Sequence, residues 1–215
     1  MAQLTALLGY FMRFLFILPA IILHEIAHGY AAYLLGDPTA RNAGRLSLNP
    51  LRHIDPFGTI LLPALLVLAN FPGFGYAKPV PINPRYFSDF RRGMLLTGLA
   101  GPATNLALAV VSGLAVRFFG TALLAMGSAG AIAANLLYYF ATINLVLLFF
   151  NLIPIPPFDG SRVLPIFLSD RALRVYAQVE QYGFIIIFAL VFLFQGIVQA
   201  YFAVTVDPLL RLIAG

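Results

Sequence analysis

The sequence has no cysteine. Disulfides and thiolate metal ligands are excluded together, so any metal must be held by His, Asp or Glu. Charge is scarce too: 10% of the 215 residues are Asp, Glu, Lys or Arg, where a soluble domain carries about a quarter. So few charges cannot cover a water-exposed surface of this size. Histidine occurs only as His24, His28 and His53. The N-terminus also lacks the basic n-region and small-residue cleavage site of a signal peptide, so the first apolar segment is expected to stay in the mature protein.

What fills the chain instead is apolar: 61% of residues are hydrophobic and the mean hydropathy is +0.91. The net charge of +5 and the pI near 9.7 are compatible with nucleic-acid binding in principle. The basic residues, however, are scattered through loops between apolar runs, a pattern of membrane anchoring rather than of nucleic-acid contact.

Five apolar segments can be read, at about 5–35, 57–70, 94–119, 129–153 and 183–206. The last three are each long enough to cross a hydrocarbon core about 30 Å thick. The run 57–70 reaches only about 21 Å at ~1.5 Å per residue, so a re-entrant or interfacial helix is expected there. Loop charges agree. Arg41, Arg45, Arg52, Lys78, Arg85, Arg91 and Arg92 precede the third segment, and Arg162, Arg171 and Arg174 follow the fourth. The loop 120–128 has no Lys or Arg. If 57–70 does not cross, all of these basic residues fall on one side, which the positive-inside rule makes cytoplasmic. The expected fold is an all-α polytopic membrane protein of the cell membrane, a single domain over 1–215. It has four crossings, a short re-entrant or fifth helix, and both termini outside.

Between the first two long segments, RNAGRLSL (41–48) and YAKPVPI (76–82) read either as short strands or as irregular loop. The prolines would confine the second to an edge strand, where a substrate peptide could add as a further strand. Residues 170–182 read as a polar helix at the cytoplasmic interface.

Residues 24–28 are His-Glu-Ile-Ala-His, inside the apolar first segment. Ionisable groups in a membrane helix are expensive unless partnered. On an α-helix, positions i and i+4 share a face, so His24 and His28 can direct imidazole nitrogens at one Zn²⁺. Glu25 lies on the neighbouring part of that face and can take a proton from an attacking water. Leu35 is seven residues beyond His28, which sets the motif about 10 Å inside the cytoplasmic end of the helix. The alternative is that the histidines only pair with polar neighbours in a bundle.

A zinc enzyme normally takes three protein ligands. His53, in LNPLRHIDP, is open to reading as a surface residue, a mobile fourth ligand or a substrate contact. Asp159, in NLIPIPPFDG, follows the fourth apolar run, where Pro154, Pro156 and Pro157 stop a regular helix. Irregular backbone at membrane depth is tolerated where it is buried or lines a cavity, which suits a carboxylate ligand. Capping a helix that starts near Ser161 is the other role open to Asp159. In GLAGPATNL (98–106), Gly98 and Gly101 allow close helix approach. Asn105 reads as an interhelical hydrogen bonder or a substrate contact.

The H-E-x-x-H motif and NLIPIPPFDG together resemble the site-2 protease family of intramembrane zinc metalloproteases. LSLNPLRHIDPFGT, YAKPVPINP and GLAGPATNL resemble its short, mostly prokaryotic branch. The likeness runs from about Leu18 to Tyr182. It implies that His24, His28 and Asp159 bind zinc, that Glu25 is the general base, and that Asn151 sits near the metal and can stabilise an oxyanion. It also implies three core segments, 5–35, 94–119 and 129–160. The chain departs from many relatives in showing no PDZ or nucleotide-sensing segment, which leaves the mode of substrate selection open. Phe158 stands where leucine is commoner.

The implied reaction is hydrolysis of a peptide bond in or near a transmembrane segment of a membrane-anchored substrate, with lipid and no nucleic acid as the other partner. A metal transporter or sensor would use the same ligands but would not need Glu25 as a base. An inactive scaffold would have no reason to keep the full set.

Overall fold

Buried backbone in a membrane must satisfy its own hydrogen bonds, and long apolar runs do so by coiling into helices. The computed structural model describes residues 2–69, 71 and 75–215. The helices among them are α1 (Ala2–Leu34), α2 (Thr39–Asn42), α3 (Leu62–Leu68), α4 (Phe90–Ala125), α5 (Ser128–Asn151), α6 (Asp170–Glu180), α7 (Gly183–Phe192) and α8 (Gln195–Ala214). Four stretches are long and apolar enough to cross a membrane: Phe14–Leu34, Phe90–Ala125, Ser128–Asn151 and Gln195–Ala214. The chain is an all-α, multi-pass membrane protein. It forms two compact units, Met1–Ser88 and Asp89–Gly215, and each is described by itself.

In the first unit α1 runs through Pro19 and buries the row Ala20, His24, His28 and Ala32, each four residues after the last. Asp55 caps a π-helical turn, Pro56–Leu61, by accepting from the Gly58 N–H at 2.7 Å, and this turn leads into α3. The apolar stretch Pro56–Leu68 is shorter than the four spans.

The expected β segment is corrected. No strand occurs among the described residues. Residues 41 and 42 belong to α2, and residues 75–82 form no ladder. Pro79 and Pro81 have no N–H to contribute to a ladder. The donors that remain go elsewhere: Tyr76 N–H to Gly58 O (3.0 Å) and Lys78 N–H to His53 O (2.9 Å).

In the second unit, Asp89 caps α4 by accepting from the Arg92 N–H at 3.1 Å. Gly93, Thr97, Gly101, Asn105, Ala109 and Gly113 recur every fourth residue and are all buried on α4. Small residues of this kind let helix backbones approach closely in lipid. A Cβ on Gly113 would lie 2.7 Å from Ile213 of α8. The apolar core joins Ala109 to Ala141, Leu145 and Leu148 of α5 and to Val206, Leu210 and Ile213 of α8.

The loop predicted over 120–128 shrinks to the turn Met126–Gly127, because both flanking helices run further than expected. Gly127 adopts φ +77°, which a side chain would disfavour. The run 183–206 is also corrected. It is two helices, α7 and α8, broken at Leu193–Phe194 just before Gln195 and Gly196. The crossing-length helix is therefore α8, and it continues to Ala214 through Pro208.

Candidate active site

The α1 register decides the first half of the site. His24 and His28 are 7% and 3% exposed, and their Nε2 atoms lie 2.9 Å apart. Their rings meet edge to face with centroids 4.5 Å apart. A tetrahedral zinc with Zn–N bonds of ~2.0–2.1 Å would hold two nitrogens about 3.3 Å apart. Two Nε2 atoms converging at 2.9 Å therefore fit a shared zinc with little adjustment. With no thiolate in the chain, imidazole and carboxylate donors are the available set, and both suit zinc.

Glu25 is partly buried on the same face. Its Oε2 accepts the Val80 N–H at 2.7 Å, which ties the carboxylate to the backbone of residue 80. Asp37, fully buried beyond the end of α1, does a parallel job. Its Oδ1 accepts from Thr39 N–H (2.9 Å) and from the Thr39 hydroxyl, and its Oδ2 from Asn83 N–H (2.7 Å).

His53 is fully buried, so the surface reading fails. Its Nε2 lies 2.7 Å from Ser47 O, which makes Nε2–H the donor and leaves the buried Nδ1 as an acceptor without a hydrogen-bond partner. His53 also accepts Lys78 N–H at its carbonyl. Both contacts organise the loop.

In the second unit Asp159 is 6% exposed and occupies the first position of a 3₁₀ helix, Asp159–Ile166. It stands within that turn rather than ahead of it, where a capping residue would sit. Arg162 Nη1 lies 3.6 Å from Asp159 Oδ1. Gly160 is required by close packing, since a Cβ there would sit 2.3 Å from Leu152 O. Gly98 plays the same part on α4, where a Cβ would meet Arg162 Cβ at 2.8 Å and Asp159 O at 3.0 Å. The two glycines and the proline break thus set the backbone that carries Asp159.

Asn151 ends α5 and donates from Nδ2 to Leu147 O at 3.0 Å. Asn105 is fully buried and donates from Nδ2 to Asn144 Oδ1 at 2.9 Å, a hydrogen bond between α4 and α5. The Tyr176 hydroxyl of α6 donates to Ser161 Oγ at 3.1 Å, and burial raises its pKa above the ordinary tyrosine value.

Val80, Asp37, Arg162 and Asn144 were not singled out from the sequence. Asn144 carried a signal, because an amide in an apolar run needs a partner. Val80 acts through its backbone and carried none.

Comparison with known proteins gives the chain relatives. Residues 119–194 match the model of Peptidase family M50. The chain is 41% identical over 171 residues to "Putative zinc metalloprotease YwhC" of Bacillus subtilis (strain 168), covering 78% of this chain and 74% of that protein. It is 31% identical over 174 residues to "Putative zinc metalloprotease Rip2" of Mycolicibacterium smegmatis, covering 80% of this chain and 63% of the relative. The Rip2 protein of Mycobacterium tuberculosis (strain ATCC 25618 / H37Rv) is 33% identical over 176 residues, with coverages of 82% and 62%. The chain thus spans a little under two thirds of the mycobacterial relatives it matches. No solved structure matches it.

Proposed function

Because this chain belongs to peptidase family M50, the site-2 protease family of zinc metalloproteases, we propose that it is an intramembrane endopeptidase. Its substrates are membrane-anchored proteins, cut in or near a transmembrane segment, at a site close to the cytoplasmic face of the cell membrane. The observation that carries this reading is the convergence of His24 and His28 at 2.9 Å with Glu25 fixed beside them, all on a helix of membrane-spanning length.

His24, His28 and Asp159 would hold the zinc, and Arg162 would orient Asp159 through its carboxylate. Zinc bound there supplies Lewis acidity toward a scissile carbonyl and an attacking water. Glu25 accepts the water's proton at Oε1, the oxygen not engaged by Val80, and passes it to the leaving amine. Asn151 spends one amide hydrogen on Leu147 O. Its second can stabilise the developing oxyanion. A peptide bond inside a regular helix is shielded by its own hydrogen bonds, so helix-breaking residues near the cut should speed cleavage.

Glu25→Gln tests the reading against ion transport. Glutamine keeps the size and an acceptor for Val80 but cannot take the water's proton. The variant should hold zinc like the parent, still bind a membrane-helix substrate, and cleave it at least ~100-fold more slowly. Cleavage at the parent rate would refute the mechanism. Metal flux persisting in the variant, with no substrate cut by the parent, would establish transport instead.

A further inference from the structure

The segment 75–83 is laced to the rest of its unit by alternate backbone donors. Tyr76 N–H goes to Gly58 O, Lys78 N–H to His53 O and Val80 N–H to Glu25 Oε2, and Asn83 N–H follows to Asp37 Oδ2. On the same edge, Tyr76 O accepts from the Thr59 hydroxyl at 2.8 Å and Lys78 O accepts from the Arg45 guanidinium. The Val80 side chain is buried, 2.8 Å from where a Cβ on Gly29 would stand, one turn along α1 from Glu25.

Val80 is flanked by Pro79 and Pro81, neither of which has an N–H. A slip of one residue in either direction would therefore present Glu25 with no donor at all. Neither one-residue slip lets the backbone hold the carboxylate.

We infer that the Val80 backbone amide is the positioning group of the general base, and that the two prolines lock the register that delivers it. The inference rests on the reading of Glu25 as the base. By taking Oε2, Val80 N–H fixes the carboxylate rotamer and leaves Oε1 for the water's proton. A free carboxylate on this helix would rotate among several staggered positions, most of them unproductive. The segment therefore acts on the chemical step through Glu25 and not by touching zinc.

The test removes one hydrogen. An amide-to-ester replacement at Val80 keeps the side chain and deletes the donor; Val80→Ala keeps the donor and trims the side chain. The probe is a synthetic single-span peptide with asparagine and glycine in its apolar segment. The ester should lower kcat about tenfold or more with KM and zinc content unchanged, a larger loss of kcat than Val80→Ala gives. Placed in a Glu25→Gln background, the ester should cause no further loss. Parent-like kcat in the ester, or a joint loss of kcat, KM and zinc, overturns positioning. Glu25→Gln cutting at the parent rate overturns the base reading instead. A readout that needs no cleavage is amide hydrogen exchange at Val80 in protein labelled with ¹⁵N-valine. Exchange should be slow in the parent and in Glu25→Gln, and fast in Glu25→Ala. Equal exchange in the parent and Glu25→Ala overturns the contact.

Discussion

A buried carboxylate in a mostly apolar chain persists only if neighbours stabilise its charge, and three do so here by different means. Glu25 takes one backbone N–H, Asp37 takes two backbone N–H groups and a hydroxyl, and Asp159 faces a guanidinium. The differences suit the roles. Asp37 is saturated on both oxygens, as a structural tie requires, whereas Glu25 keeps an oxygen for chemistry. Asp37→Asn should therefore be damaging although it conserves size, because the amide turns an acceptor into a donor facing an N–H. A loss of about 1–3 kcal/mol is expected, measured by denaturant unfolding in detergent with zinc present. Ligand removal should read differently. Asp159→Ala or His24→Ala should lose most of the ~1 zinc per chain expected for a three-ligand site, checked by elemental analysis of purified protein. Full retention in both variants would remove the proposed site.

Among the elements, α4 and α5 show how a polar pair is placed within a seam of small residues. Asn105 belongs to the row Gly93, Thr97, Gly101, Asn105, Ala109 and Gly113, and it meets Asn144 across the seam. Asn105→Val should destabilise by about 1 kcal/mol, within the range measured for interhelical hydrogen bonds in membranes. Asn105→Val with Asn144→Val should cost less than the two single changes added together, since no acceptor is then left without its donor. A double-mutant cycle on detergent unfolding measures this. The contrast between legible and illegible parts lies at this scale. Helices α4 and α5 could be read because apolar length alone dictates them, and H-E-x-x-H because one helical turn brings its two histidines together. The break between α7 and α8 hides inside a continuous apolar run, where Gln195-Gly196 is the only local hint. The strand reading of 76–82 failed because the backbone donors of this stretch have other partners. Those partners are a helix carboxylate and loop carbonyls distant in sequence, and nothing in local alternation encodes them.

For the molecule as a whole, the question is which loops share a side of the membrane. The stretch Pro56–Leu68 is shorter than the four crossing-length helices, and if it does not cross, basic residues on both flanks of it stay together. Arg117 is an exception that can be explained. It lies late in α4, on the side away from the basic loops, and donates from Nη1 to Leu212 O at 2.6 Å. Leu212 is in the last turn of α8, whose terminal carbonyls have no helical partner and carry partial negative charge. Arg117 is thus committed to a helix end and need not count as a topology signal. A reporter inserted at the Met126–Gly127 turn should be outside, and reporters within 78–90 and 165–175 should be inside. Accessibility to a membrane-impermeant thiol reagent gives an independent check, because the chain has no cysteine of its own and single cysteines can be introduced at each position. Labelling of intact cells at 126–127 alone is the expected outcome. If 78–90 and 165–175 labelled from opposite sides, Pro56–Leu68 would have to cross despite its length, and a cytoplasmic-side active site would be lost with the four-crossing topology.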